Sequence, residues 1–246
     1  MLIDMHNHTR ISSPDSLLSD EELVELARAR GVDGICITEH FFIEGAEVAR
    51  ETGARLHFPV FRGIEARADL GDVLVFGYYK DIADGISLQE LARIVHEKGG
   101  VIFAAHPFRL EGFTFQAGLR KQGLDLDEHW QCMGILELLD GIEVSNGKNS
   151  PEANARAGCL ANKMRMPAIA GSDAHEPYDV GRTVTRFSQS IRSESDLVAA
   201  LRAGSVKPIF RQSFSAELPA TVSWCAGLSS ATLSKNGKNG QLVGRL

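Results

Sequence analysis

The sequence has little to offer thiol chemistry. Its four cysteines, Cys36, Cys132, Cys159 and Cys225, stand far apart with no C-x-x-C pair, so neither a disulfide framework nor a thiolate zinc knuckle is expected. Long apolar runs are missing too, since none approaches the roughly 18 residues a membrane span needs. Charge of one sign is nowhere concentrated. Lys and Arg number 26 against 32 Asp and Glu, a net charge of -6, which disfavours long nucleic acid and anionic membrane as partners. The opening Met1–His8 has no basic stretch and meets a charge at Asp4; no secretory leader is expected, and the chain reads as cytoplasmic with reduced cysteines. Three more absences narrow the chemistry. There is no G-x-x-x-x-G-K-[ST], no G-x-G-x-x-G after a strand and no Ser or Cys in a nucleophile elbow, which removes support for P-loop nucleotide binding, dinucleotide binding and acyl-enzyme catalysis.

What is present is an ordinary globular composition over 246 residues, 43% hydrophobic and 24% charged, enough chain for one large domain. Strand-like runs at Leu2–Met5, Gly34–Thr38, Leu56–Ile64, Val73–Tyr79, Val101–Ala105, Gly141–Ser145, Pro167–Gly171 and Thr183–Phe187 alternate with helix-like segments, the pattern of parallel βα units. Helix starts show as capping boxes at Ser19–Glu22 and Ser87–Glu90, as Ser150 before Pro151, and as Ser193, since these side chains satisfy amides that the first turn leaves without partners. From Gln212 the pattern decays into Ser, Gly, Asn and Lys with Asn-Gly turns at 236 and 239. The expected division is therefore a barrel over 1–211 and a carboxyl-terminal appendage over 212–246.

Metal-ligand residue types fall where these runs end. Asp4, His6 and His8 stand at the end of the first run, and His40 follows the second and Glu65 the third. His106 follows Val101–Ala105, and Asp173 with His175 follow the run ending at Gly171. In a parallel barrel the carboxyl ends of the strands share one face, so residues distant in sequence meet in one pocket. Imidazole mixed with carboxylate suits Zn, Mn or Fe, whereas Ca and Mg favour oxygen shells. The other histidines, His57, His96 and His129, sit at no strand end and read as structural or solvated. Asp4 reads as a carboxylate that orients His6 or His8 rather than a direct ligand.

Taken in order, Asp4-Met-His6-Asn-His8-Thr9, Asp15, Thr38-Glu-His40, Gly63-Ile-Glu65, Ala105-His106-Pro107 and Gly171-Ser-Asp173-Ala-His175 resemble the motifs of the PHP family, named for polymerase and histidinol phosphatase. The resemblance implies an α/β fold of distorted (β/α)7, TIM-like type, carrying two or three divalent transition-metal ions that hydrolyse phosphoesters. It further implies that His6, His8, Glu65 and Asp173 hold one ion, that Glu65 bridges to a second ion also held by His106, and that Asp15, His40 and His175 form a third site. Some members place another His or Cys beside the second ion. Here Val73–Tyr79 offers only Tyr78 and Tyr79, and Gly141–Gly147 offers Glu143 or Asn146.

Paired cations acidify a water and hold phosphoryl oxygens, while a leaving oxygen needs a proton or a cation. His40, His175 and Asp173 are the candidate catalytic residues on that account. Arg109 and Arg182 are candidate phosphate clamps, because a guanidinium matches a phosphate in bidentate fashion; Arg10 and Lys148 are weaker candidates. The expected function is hydrolysis of a phosphate ester of a small metabolite or nucleotide, and Val222, Trp224 and Leu228 of the appendage are candidates for covering a barrel edge or contributing to a homo-oligomer. Two alternatives stand beside it. One is amidohydrolase-like cleavage of a C–N or C–O bond, against which Glu65 stands where many such enzymes use a modified lysine. The other is a non-catalytic, metal-stabilised module associated with a polymerase.

Overall fold

A computed structural model describes residues 1–213 and 216–217. The chain runs β1 (Leu2–Asp4), α1 (Asp20–Ala29), β2 (Gly34–His40), α2 (Glu44–Arg55), β3 (Val60–Ala68), β4 (Gly71–Phe76), α3 (Leu88–Glu97) and β5 (Val101–Ala104). It continues through α4 (Phe115–Lys121), a 3-10 segment at Leu126–Cys132, α5 (Met133–Leu136), β6 (Gly141–Asn146), α6 (Pro151–Met164), β7 (Ala168–Gly171), β8 (Thr183–Phe187), α7 (Glu194–Arg202), β9 (Val206–Ser213) and β10 (Ala216–Glu217). The expected appendage over 212–246 falls outside the described residues except at 212–213 and 216–217, where β9 crosses the expected boundary and pairs with β10.

Hydrogen bonding orders the strands β10-β9-β8-β1-β2-β3-β4-β5-β6-β7. β1, β2 and β3 are parallel, as are β5, β6 and β7. The parallel pattern breaks at β4, which is antiparallel to both neighbours. The reason is the two-residue link Asp69-Leu70, far shorter than the dozen or so residues a parallel crossover requires. β4 therefore runs from the site end of the barrel downwards, and Tyr78 and Tyr79 emerge at the opposite end from the other strand-end residues. That corrects their expected place beside the second ion. Tyr79 instead lies under the Arg62 guanidinium, 3.9 Å from its ring centre.

Closure also departs from a simple barrel. β8 is antiparallel to β1, with Ile3 opposite Thr185, and makes no backbone ladder with β7. Side-chain hydroxyls join them: Thr185 Oγ1 accepts from Ala170 N at 2.8 Å and donates to Ala170 O at 2.9 Å. Above β8 the chain after β1 meets the chain after β7 directly, through a parallel bridge between Asn7 and Ala174.

Strand side chains alternate with period two between two environments. Ile3, Met5, Cys36, Phe61, Leu74, Phe76, Val101 and Phe103 fill the barrel, and Leu197, Val198 and Leu201 of α7 join them as a plug at its base. Ile35 and Ile37 turn outward against Leu23, Val24 and Ala27 of α1, while Val73, Val75 and Ile102 turn outward towards Leu91 and Val95 of α3. Apolar packing thus occupies the lower barrel. The upper end carries the polar residues.

Candidate metal centre

Three strands deliver the first ligand group of four residues. His6 and His8 follow β1, Glu65 lies in β3 and Asp173 follows β7. His6 Nε2 lies 3.3 Å from Glu65 Oε2 and 3.5 Å from Asp173 Oδ1. His8 Nε2 lies 3.3 and 3.4 Å from the same two oxygens. Both imidazoles are fully buried, and neither Nε2 makes a hydrogen bond. A buried ring nitrogen without a partner is costly, so this donor set fits a divalent ion held among the four groups.

Glu65 has a second face. Its Oε1 lies 2.8 Å from His106 Nε2 while Oε2 faces His6, His8 and, at 3.2 Å, His40 Nδ1. Two oxygens turned to two different sets of imidazoles is the geometry a bridging carboxylate needs. Burial alone would lift its pKa, but His6 and the contacts to His106 and His40 hold Glu65 well below the usual carboxylate range. The third expected group also assembles: Asp15 Oδ2 is 3.4 Å from His40 Nε2 and 3.4 Å from His175 Nε2.

Asp72 joins the site unannounced. Glu65, Asp72 and His106 can offer ligand atoms within 4.8 Å of one another. Reading β4 as parallel hides this residue, because only an antiparallel β4 brings its first residues to the site end. Burial, reinforced by the charge of Glu65, pushes the Asp72 carboxyl up to about 7. The signal that could have revealed it is the tight Asp69-Leu70-Gly71 turn directly after a strand.

Buried polar groups hold the ligands in place. Glu143 Oε1 sits 3.0 Å from His6 Nδ1, and its Oε2 accepts from His106 N at 2.9 Å and Asn146 Nδ2 at 3.1 Å. Glu143 and Asn146 therefore stand behind the ligand residues. Asp4, expected to orient an imidazole, braces the backbone instead: it accepts from Ser172 N at 2.8 Å and Gly181 N at 3.0 Å, tying β1 to the β7–β8 connection. Two site residues carry left-handed backbone, His106 at φ 29° and Asp173 at φ 55°. Such angles are costly for residues with a Cβ. Here they are fixed by His106 N to Glu143 and by Asp173 N donating to His6 O at 2.8 Å, and they re-aim side chains that a regular strand would send elsewhere. Gly171 allows β7 to approach: a Cβ there would lie 2.3 Å from His6 Cβ.

The cations divide. Arg109 Nη2 donates to Asp173 Oδ2 and, at 2.8 Å, to Asn146 Oδ1, while Nε donates to Asn149 Oδ1 at 3.1 Å. Arg182 stands apart, half-exposed, with Asp179 Oδ1 at 3.8 Å. Lys148 Nζ is 2.7 Å from Asp179 Oδ2, and that same oxygen accepts from His175 N and Glu176 N. Of the histidines set aside, His57 is exposed and His96 pairs with Asp140 at 2.8 Å on the surface; the side chain of His129 lies outside the described residues.

Residues 4–138 match the model of the PHP domain, and residues 151–206 match a PHP-associated model. The chain belongs to the PHP domain family. An uncharacterized protein of Methanocaldococcus jannaschii is 26% identical over 155 residues, 59% of this chain and 82% of that protein. Among solved structures, a two-domain Bacteroides vulgatus protein described as containing a PHP-like metal-dependent phosphoesterase superposes with TM-score 0.64 at 21% identity, covering 86% of this chain and 65% of that one. A Bifidobacterium adolescentis protein described as a metal-dependent phosphoesterase gives TM-score 0.58 at 18% identity, covering 83% and 96%. The fold is accordingly a distorted, TIM-like barrel of the PHP type.

Proposed function

We propose that the chain is a metal-dependent phosphoesterase that hydrolyses a phosphate ester of a small metabolite or nucleotide, using two or three divalent transition-metal ions, Zn, Mn or Fe. The observation that carries this reading is the pair of buried, unpartnered Nε2 atoms of His6 and His8, each 3.3–3.5 Å from Glu65 and Asp173. His6, His8, Glu65 and Asp173 would hold one ion; Glu65, His106 and Asp72 a second; and Asp15, His40 and His175 a third. Ions bound there supply an acidified water and charge neutralisation of the phosphoryl group.

The chain's own groups do the rest. Glu143 orients His6. The Arg109 guanidinium neutralises the outer oxygen of Asp173, and its Nη1 has no hydrogen-bond partner among the described residues, which leaves donors for a phosphoryl oxygen. His40 and His175 sit at the accessible edge, where a leaving oxygen can collect a proton. A cytoplasmic location belongs to the same proposal.

The test is phosphate release from a panel of phosphorylated metabolites and nucleotides after loading the protein with Mn or Zn. Release that chelator abolishes and metal restores is the expected result. Turnover of amides or lactones without phosphate release would move the reading to an amidohydrolase-like enzyme, and metal uptake without any turnover would move it to a non-catalytic module.

A further inference from the structure

We propose that Glu39 is a positioning residue that acts on His8 through Ser13, fixing which ring nitrogen of His8 carries the proton. Glu39 lies in β2 between Thr38 and His40 and is fully buried. Its Oε1 accepts from Thr9 N at 3.1 Å and from the Thr9 hydroxyl, and its Oε2 accepts the Ser13 hydroxyl at 2.5 Å. The first turn of α2 closes over it, since a Cβ on Gly45 would lie 2.5 Å from Oε1 and 2.8 Å from the Glu39 Cγ.

The proton count then has one solution. A serine hydroxyl has one proton and two lone pairs. Ser13 gives its proton to Glu39, so its oxygen can only accept from its other neighbours, His40 N at 3.3 Å and His8 Nδ1 at 3.2 Å. A backbone amide can do nothing but donate. A proton of His8 therefore sits on Nδ1, and in the neutral ring, the form that can bind an ion, the lone pair sits on Nε2, the atom aimed at Glu65 and Asp173. His6 reaches the same state by direct contact with Glu143. The two rings are held by different devices, one by a carboxylate and one by a serine whose direction a carboxylate sets.

This inference rests on the metal-centre reading, and it makes an unusual demand of substitutions. Thr9 N donates to both Glu39 oxygens, at 3.1 Å to Oε1 and 3.3 Å to Oε2, so in Glu39→Gln the shorter contact favours the amide oxygen on the Thr9 side and turns the NH2 towards Ser13. Ser13 then accepts from the amide and turns its own proton towards His8 Nδ1. His8 is driven to carry its proton on Nε2, where the ion should bind. Ser13→Ala, by contrast, only frees the ring to choose. The nearly isosteric change at Glu39 should therefore be the worse of the two, and removing Ser13 in the Glu39→Gln background should rescue it.

Zinc affinity of the full chain, read by competition with a chelator, tests this. Outer hydrogen-bond partners of metal ligands typically change affinity by about 10–100-fold. We expect a loss of about tenfold for Ser13→Ala, about 100-fold for Glu39→Gln, and a return to about tenfold for the double variant. A merely structural role predicts that the two losses accumulate, and that result, or wild-type affinity in Glu39→Gln, overturns the proposal. Should Glu39→Gln fail to fold, nitrogen-detected NMR of zinc-loaded protein decides. The His8 Nδ1–H should be slow to exchange in the wild type and fast in Ser13→Ala, and equal exchange overturns the relay. A wild-type chain that takes up no zinc overturns the metal reading and this proposal together, an outcome distinct from any in which only the variants misbehave.

Discussion

At the scale of the residue, the centre is organised by what each carboxylate oxygen faces. Glu65 turns Oε1 to His106 and Oε2 to His6, His8 and His40, whereas His106 meets Glu65 through Oε1 alone. Replacing His106 with Ala should cost one ion per chain, and replacing Glu65 with Ala should disturb two, as elemental analysis after equal loading would reveal. Asp72→Asn should weaken the same ion as His106→Ala and leave the others in place. The arginines separate in the same way. Arg109 bonds Asp173 and Asn146 at the site, while Arg182 stays with Asp179. Arg109→Ala should lower kcat for a phosphomonoester by about 10²-fold if its contact strengthens in the transition state; Arg182→Ala should change it by less than about threefold. Equal losses in both variants would put the clamp at Arg182 as well.

At the scale of the element, the sequence was legible wherever a local rule had no competitor. The starts of α1, α3, α6 and α7 follow from Ser19, Ser87, Ser150 and Ser193, each of which accepts from the amide three residues on. The helix α2 has Ile43 at its start with no side-chain cap, so nothing local announces it. In the same region, Leu56–Pro59 read as strand but lie outside β3, which starts at Val60; His57 carries a left-handed φ of 53° there. Strand direction was the larger loss. Periodicity marks which residues face inward, yet a strand reads the same up or down, and only the length of the Asp69-Leu70 link distinguishes the two for β4. The site suffered accordingly: the ligands at the ends of parallel strands were legible, and Asp72 was not. The supporting groups Glu39 and Ser13 were illegible for another reason, since a buried acid in a strand run shows its role only once its partners are known; Glu143 was legible as a residue of the site, and its place behind His6 was not. Gly171 gives this scale a test. Alanine there forces β7 away from the His6 backbone and Cβ. Overpacking of this kind costs about 1–3 kcal/mol, which urea unfolding would measure, and it should loosen metal at His6 as well.

At the scale of the whole molecule, the barrel separates its two ends by chemistry. The base is sealed by α7 and by Arg62, which pairs with Glu194 and Glu47 at 2.5 Å each, and the opposite end gathers the imidazoles and carboxylates. Everything proposed to hold metal lies between His6 and His175. Residues 212–246 contain no histidine and one acid, Glu217, so they have little with which to bind an ion. Their described part belongs to the outer edge of the sheet, where Ala216 pairs with Ser213 beyond β8 and β1. An open strand edge offers unpaired N–H and C=O groups to other chains, and β10 covers part of that edge on β9. A chain ending at Gln212 should accordingly keep its metal content and its phosphatase turnover per folded molecule, while its Tm falls and its tendency to associate rises. Elemental analysis, thermal unfolding and light scattering on the shortened protein would check the three parts separately. If the shortened chain folds and holds no metal, residues after 212 belong to the centre, and the division of the molecule into a barrel over 1–211 and an appendage over 212–246 fails with it.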